Sequence, residues 1–165
     1  MCIRDRVVCC VFGSIGVWLA LGLLSRKTKE ITWGRLCSLA GLFAPIGLML
    51  GRISNFLNGE IVGKPTSGSW GVVFENIDSI PRHPVQLYEA FLEGPVLFIY
   101  LLFHRSHSKN AWHCTQHFVY GYSALRIIAE HFKESPTFWI LSAGQWYCIL
   151  VALAMFAMQH FLKKR

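Results

Sequence analysis

None of the six cysteines (Cys2, Cys9, Cys10, Cys37, Cys114, Cys148) stands in a CxxC pair, and most lie inside apolar runs. That spacing speaks against a disulfide framework and against the common cysteine-based zinc sites. It leaves buried cysteine as a small hydrophobe. Acid is scarce as well, nine Asp and Glu against sixteen Lys and Arg, for a formal net charge of +7. The excess base is not gathered into one stripe. It sits in short connections and at the C-terminus, which argues against nucleic acid as a partner. No internal repeat, low-complexity tract, soluble domain or interdomain linker is evident in the 165 residues.

What is present is a series of apolar blocks separated by short polar connections, the pattern of an all-α integral membrane protein. Residues 1–6 (MCIRDR) differ abruptly from the apolar run after them and lack the h-region and cleavage site of a signal peptide. They read as a foreign start, with 7–165 a single transmembrane domain incomplete at its N-terminus. Five spans are expected, over 7–24, 36–50, 85–103, 117–132 and 137–162, with Pro45 placed to kink the second. The connections 25–35 and 104–116 and the terminal Lys163-Lys164-Arg165 are basic and fall on one side, which the positive-inside rule makes cytoplasmic. The N-terminus is then outside, and a long outer loop over 51–84 joins the second span to the third.

That loop opens with GRISNFLNGEIVGKPT, residues 51–66. Arg52 is followed closely by Asn55, Asn58 and Glu60, with Gly51, Gly59 and Gly63 allowing sharp turns and close backbone approach. A lone arginine here could merely anchor a helix at the interface. Two asparagines and a glutamate beside it favour a binding site, since a guanidinium fork suits phosphate or carboxylate.

Tyr122, Arg126 and Glu130 recur every four residues and form one stripe on the fourth span. At 1.5 Å per residue the stripe rises about 12 Å. An intramembrane arginine costs on the order of 2.5 kcal/mol unless it faces protein, water or a partner. The two readings are a structural Arg126–Glu130 ion pair and a functional site. Arg82, His83, Gln86, Tyr88 and Glu89 lie at the outer entry to the third span. Gln86 and Glu89 share a face that Glu93 continues, as the lining of a polar cavity would. Arg82 alone reads as an interfacial anchor. Gln145, in GQW, is placed to bond a neighbouring helix. His104, His107, His113, Cys114 and His117 have weak metal-like spacing, and a solvated basic loop is the favoured reading, with no metal expected.

These segments resemble the prolipoprotein diacylglyceryl transferase family. Residues 51–66 match its GRxGNFxNGExxGxPT signature, RHPVQLYEA its RHPxQLYEA element, and YGYSALRIIAEHFKESP its Y-x-x-x-R-x-x-x-E segment. GQW and the helix after it are similar to its last span. The resemblance implies a multi-pass enzyme of the bacterial inner membrane with its C-terminus cytoplasmic. Such an enzyme moves the diacylglyceryl group of phosphatidylglycerol onto the lipobox cysteine thiol of a prolipoprotein, without a cofactor. It implies Arg52, Arg126, Glu130 and Tyr122 as catalytic residues. Arg52, Asn55, Asn58, Glu60, Gly63, Arg126, His83 and Gln86 would bind phosphatidylglycerol. The arginines would hold the phosphate, Asn55 and Tyr122 the headgroup, and Glu60 and Glu130 would orient the arginines.

Ser54 stands where the family has glycine, and Lys64 where arginine is common. The family has seven spans, of which the last five are expected here. Its histidine-glycine-glycine element would fall at residues 8–12, which read VCCVF. The chain therefore reads as an N-terminally truncated copy. The alternatives are a small transporter or channel subunit, with Arg126, Glu130, Glu89 and Glu93 along a pathway, or an inactive phospholipid-binding fragment.

Overall fold

The computed structural model describes residues 32–105, 112–134, 137–138 and 141–163, together with Leu23. The first expected span and the VCCVF stretch lie outside the described residues, Leu23 excepted. Helix α1 spans Trp33–Leu57, α2 Val85–Phe91, α3 Leu97–Arg105, α4 His113–Glu130 and α5 Ala143–Lys163. One π-helical turn, Leu92–Val96, joins α2 to α3 without a break in the helix. Strands β1 (Thr137–Phe138) and β2 (Leu141–Ser142) pair antiparallel just before α5.

Two helical stretches, Trp33–Leu57 and Val85–Arg105, are long and apolar enough to cross a membrane. At 1.5 Å per residue the 25 residues of α1 reach about 37 Å, more than the roughly 30 Å of bilayer hydrocarbon. Its exposed large apolar residues are Leu39, Phe43, Ile46, Leu50, Ile53 and Leu57. They recur every three or four positions, so one face of α1 is an outward apolar stripe. In water such a stripe would be costly; against lipid it is the expected surface. The opposite face buries Cys37, Gly41, Leu42 and Pro45.

The core is small. Leu42, Leu97 and Leu101 are essentially unexposed, with Phe98, Tyr100, Phe118, Tyr122 and Leu125 packed around them. Helices approach closely where side chains are absent. A Cβ on Gly41 would lie 3.1 Å from the Thr115 backbone, and one on Gly121 2.7 Å from Leu97. This is the small-residue contact by which apolar helices associate in lipid.

Three expected boundaries move. The second span does not end at residue 50, since α1 runs on through GRISNFL to Leu57, and it remains one helix through Pro45. The fourth begins earlier, at His113. The fifth begins later, because Thr137–Phe138 and Leu141–Ser142 pair as short strands and the helix starts at Ala143. Thr, Phe, Ile and Leu before Ser142 suit a strand at least as well as a helix. Ser142 and Gln145 then form a capping box. The Gln145 backbone N–H donates to Ser142 Oγ (3.3 Å), and the Ser142 N–H donates to Gln145 Oε1 (3.0 Å). That reciprocal pair satisfies two otherwise orphaned donors and sets the helix start.

Candidate functional site

Arg52 lies in the last turns of α1, on the helix rather than in the connection after it. The helix is terminated by Asn58 and Gly59. The Gly59 N–H bonds the Phe56 carbonyl (3.0 Å) and the Glu60 N–H bonds the Asn55 carbonyl (2.9 Å), with Gly59 at φ +63°. These are the two bonds of a Schellman cap, which requires a left-handed residue at that point. Ile61 also has positive φ, +58°. A β-branched residue there is strained, and strain of this kind concentrates at functional sites.

The π turn brings the third-span acids against α1. A Cβ on Gly94 would sit 2.8 Å from Met49, so the helices nearly touch one turn below Arg52. Glu89 and Glu93, both unexposed, are held between two arginines from different helices. Arg52 Nη1 lies 2.8 Å from Glu89 Oε2, and its Nε 3.0 Å from Glu93 Oε2. Arg126 Nη1 pairs with Glu89 Oε1 and stands 3.5 Å from Glu93 Oε1. Arg126 Nη2 pairs with Glu130 Oε2 at 3.1 Å. Tyr122, one turn before Arg126, packs against the Leu42, Leu97 and Leu101 core. Isolated charges this deeply covered would be prohibitive, and each is tolerated because the others surround it.

The expected stripe of Tyr122, Arg126 and Glu130 is therefore present, and Arg52 joins it. The carboxylates that grip Arg52 are Glu89 and Glu93. Glu60 offers its backbone carbonyl, which accepts from Gln86 Nε2 at 2.6 Å. Gln86 is wholly buried while its Oε1 makes no hydrogen bond. Asn55 is partly buried, and Asn58, at the cap, is exposed. His83 contacts Tyr88 and Phe132. Its Nδ1 lies 3.2 Å from the Tyr88 hydroxyl and its ring packs on Phe132, beside a cavity of about 520 Å³ that also meets Trp70 and Phe91.

Gly63 closes this end of the bundle. A Cβ there would fall 2.5 Å from both the His83 carbonyl oxygen and Val85 Cγ2, so only glycine fits. Gly63 bridges antiparallel to Lys133, and the Lys64 N–H bonds the Phe132 carbonyl (3.0 Å). Arg82 is not the interfacial anchor its position suggested. It is buried, donating to the Gly63 carbonyl (3.1 Å) and pairing with Asp78 (2.6 Å) and Glu134. The hydrogen bond from Arg82 holds the Asp78 carboxyl below its usual range, and Asp78 in turn raises the arginine.

Gln145 bonds a neighbouring helix as expected, through Nε2 to the Ile127 carbonyl (3.3 Å). Its capping partner Ser142 donates to Glu130 Oε1 (3.1 Å), so the start of α5 steadies the acid that holds Arg126. At the far end, His104 lies on α3 and His113 and His117 on α4 rather than in a loop. His104, His113 and His117 pack ring to ring at 4.3–4.8 Å, with Tyr100 Oη 2.8 Å from His117 Nδ1. No group of three or more ligands arranged to hold a metal occurs among the described residues. His107 lies outside them.

Sequence reasoning missed Ser142 and Lys133. The S-x-x-Q spacing would have found the first. The second carried no signal beyond being a cation one turn from Glu130.

A family model described as prolipoprotein diacylglyceryl transferase matches residues 10–161. Three relatives carry the name phosphatidylglycerol–prolipoprotein diacylglyceryl transferase. That of Zymomonas mobilis is 39% identical over 150 residues, covering 86% of this chain and 52% of the relative. That of Nitrosomonas europaea is 36% identical, with 90% and 55% covered. That of Rickettsia canadensis is 44% identical, with 74% and 48% covered. The chain spans about half the length of these curated relatives.

Proposed function

The chain belongs to the prolipoprotein diacylglyceryl transferase family, and from that premise we propose that it takes part in transferring the diacylglyceryl group of phosphatidylglycerol to the lipobox cysteine of a prolipoprotein. The substrate thiol, as thiolate, attacks the glyceryl carbon that carries the phosphate ester. A carbon–sulfur bond forms, the carbon–oxygen bond to phosphate breaks, and glycerol phosphate leaves with the electron pair. The thiol proton goes to a general base. No cofactor or metal is required, since the nucleophile belongs to the substrate and the leaving group is already an anion.

The observation that carries the reading is the convergence of Arg52 from α1 and Arg126 from α4 on one carboxylate pair. Two planar cations fixed in place suit a phosphate, by charge-assisted and bidentate bonds. They hold the phosphodiester and stabilise the charge that grows on the departing phosphate. Glu130 and Tyr122 orient the arginines, while Glu60, Gly63, Asn55, Asn58 and Gln86 shape the headgroup side. His83 borders the adjoining apolar cavity. We place the chain in a bacterial inner membrane with five spans and the C-terminus cytoplasmic. A solute pathway lined by Arg126, Glu130, Glu89 and Glu93 would need polar groups through the whole bundle. Here Leu42, Leu97 and Leu101 fill its middle.

The test is the purified chain in phosphatidylglycerol vesicles with a lipobox peptide. The expected result is a peptide heavier by one diacylglyceryl group, with glycerol phosphate released. Arg52→Gln and Arg126→Gln should each lose roughly a hundredfold or more in rate, the scale for removing one preorganised donor. Binding of the lipid with no transfer would reduce the chain to a phospholipid-binding relative. Undiminished transfer by Arg126→Gln would sink the assignment.

A further inference from the structure

Lys133 follows α4 immediately, and its backbone is fixed from two sides. Its N–H donates to the Glu130 carbonyl (3.2 Å), and it bridges antiparallel to Gly63. The Lys64 ammonium donates to the His131 carbonyl at 2.9 Å and ties the same two segments again. The strap turns the Lys133 side chain inward, where only 15% of it is exposed. The carboxylate it approaches, Glu130 Oε2, is 3.8 Å away. Glu130 is already committed to Arg126 and to Ser142. Lys133 is thus a covered cation whose neighbouring acid is held more tightly by other groups.

We propose that Lys133 Nζ is a third cationic contact of the anion site, meeting the phosphate group of the donor beside Arg52 and Arg126, and that its proton controls how tightly that phosphate is held. This rests on the phosphatidylglycerol reading above and adds a residue that reading does not use. The charged groups facing the ammonium are Arg126 and Glu130 of α4, Arg52 of α1 and Glu93 of the π turn. Burial, followed by the repulsion of Arg126, brings the lysine from 10.5 down to about 8. An incoming phosphate anion reverses that cost, because it favours the ammonium. Affinity is therefore full well below pH 8 and is lost as pH rises through it. From pH 7 to pH 9 the charged fraction falls from about nine-tenths to about one-tenth, so affinity should fall about tenfold.

The experiment titrates short-chain phosphatidylglycerol into the purified chain in neutral detergent at pH 7 and pH 9, with inorganic phosphate in parallel. Wild type, Lys133→Met and Lys133→Arg are compared. Wild type should weaken about tenfold between the two pH values. Lys133→Met should be weak and flat, and Lys133→Arg should stay tight at pH 9, which a merely structural role would not produce. Tighter binding of the lipid than of inorganic phosphate supports the headgroup as source; equal binding overturns the lipid part of the proposal. Superimposable curves for wild type and Lys133→Met overturn the role of Lys133. Should Lys133→Met not fold, a wild-type affinity unchanged between pH 7 and 9 overturns it equally. Wild type that binds neither ligand at pH 7 instead overturns the proposed donor itself, so the two failures are distinct.

Discussion

Glu89→Gln is the most informative single substitution, because Glu89 touches both arginines and is wholly buried. Glutamine keeps the shape and removes only the charge. Breaking a buried ion pair by removing one partner costs about 3–5 kcal/mol, since the other charge is left uncompensated. Here neither arginine is left alone. Arg52 keeps Glu93 at 3.0 Å, and Arg126 keeps Glu130 at 3.1 Å. The lower figure, about 3 kcal/mol, is therefore expected. For a chain of this size that is a fall of roughly 6–12 °C in Tm. The assay is thermal unfolding in detergent, followed by tryptophan fluorescence. Adding Arg126→Gln should cost less than the separate losses imply, by about 0.5–3 kcal/mol, because it removes one of the two cations that the first substitution left with a single carboxylate partner. A Glu89→Gln protein melting within about 2 °C of wild type, or strict additivity in the double variant, would refute the claim that this carboxylate balances both guanidinium groups.

Gly63→Ala should cost at least about 1–3 kcal/mol, the range for overpacking, since its Cβ would meet the His83 carbonyl and Val85 at 2.5 Å. Faster hydrogen exchange at Lys64, whose N–H bonds Phe132, would report the loosened strap. The Asp78–Arg82 pair gives a pH response. Arg82 stays charged throughout, and the folded pKa of Asp78 lies below its ordinary 3.8. A depressed carboxyl adds stability above its unfolded value and loses it as pH falls through the folded one. Protection over residues 72–82, taken relative to the intrinsic exchange rate at each pH, should therefore fall below about pH 3.8, and Asp78→Asn should show the lowered protection already at pH 7. Protection in wild type that does not change with pH would remove the pair from any role in holding that loop.

What could be read from the residues was what repeats along one helix. Arg126 and Glu130, four apart, form the ion pair the spacing announced. Gln86, Glu89 and Glu93 share the face expected of them. What could not be read was pairing across the chain. Arg82 meets Glu134 only because the Gly63 strap brings the connection before α2 against the segment that follows α4. Arg52 meets Glu89 and Glu93 because α1 persists beyond Gly51. The eye stops at the first polar residue, but a helix stops where its last carbonyls find donors, here at Asn58-Gly59. The same error in reverse began a helix at Thr137, where an apolar run hides two short paired strands and a Ser142 cap. The membrane side of the reading rests on composition, and the exposed stripe of α1 accords with it.

The charges in the cluster bear on how such a site could work. Three cations, Arg52, Arg126 and Lys133, stand against three acids, Glu89, Glu93 and Glu130. With no anion bound, the carboxylates alone carry the cost of holding two guanidinium groups away from water. The arginines therefore need not fold inward or recruit counterions when a phosphate arrives, and their donors already point in fixed directions. Under the proposed function this is preorganisation: little reorganisation is required as charge builds on the leaving phosphate. It also has a consequence for design. Replacing the acids with well-packed apolar residues, which often stabilises a structural ion cluster, would here leave the arginines unheld and the phosphate site undefined. The acids are then as necessary to the chemistry as the arginines they hold, though none of them touches the reacting carbon.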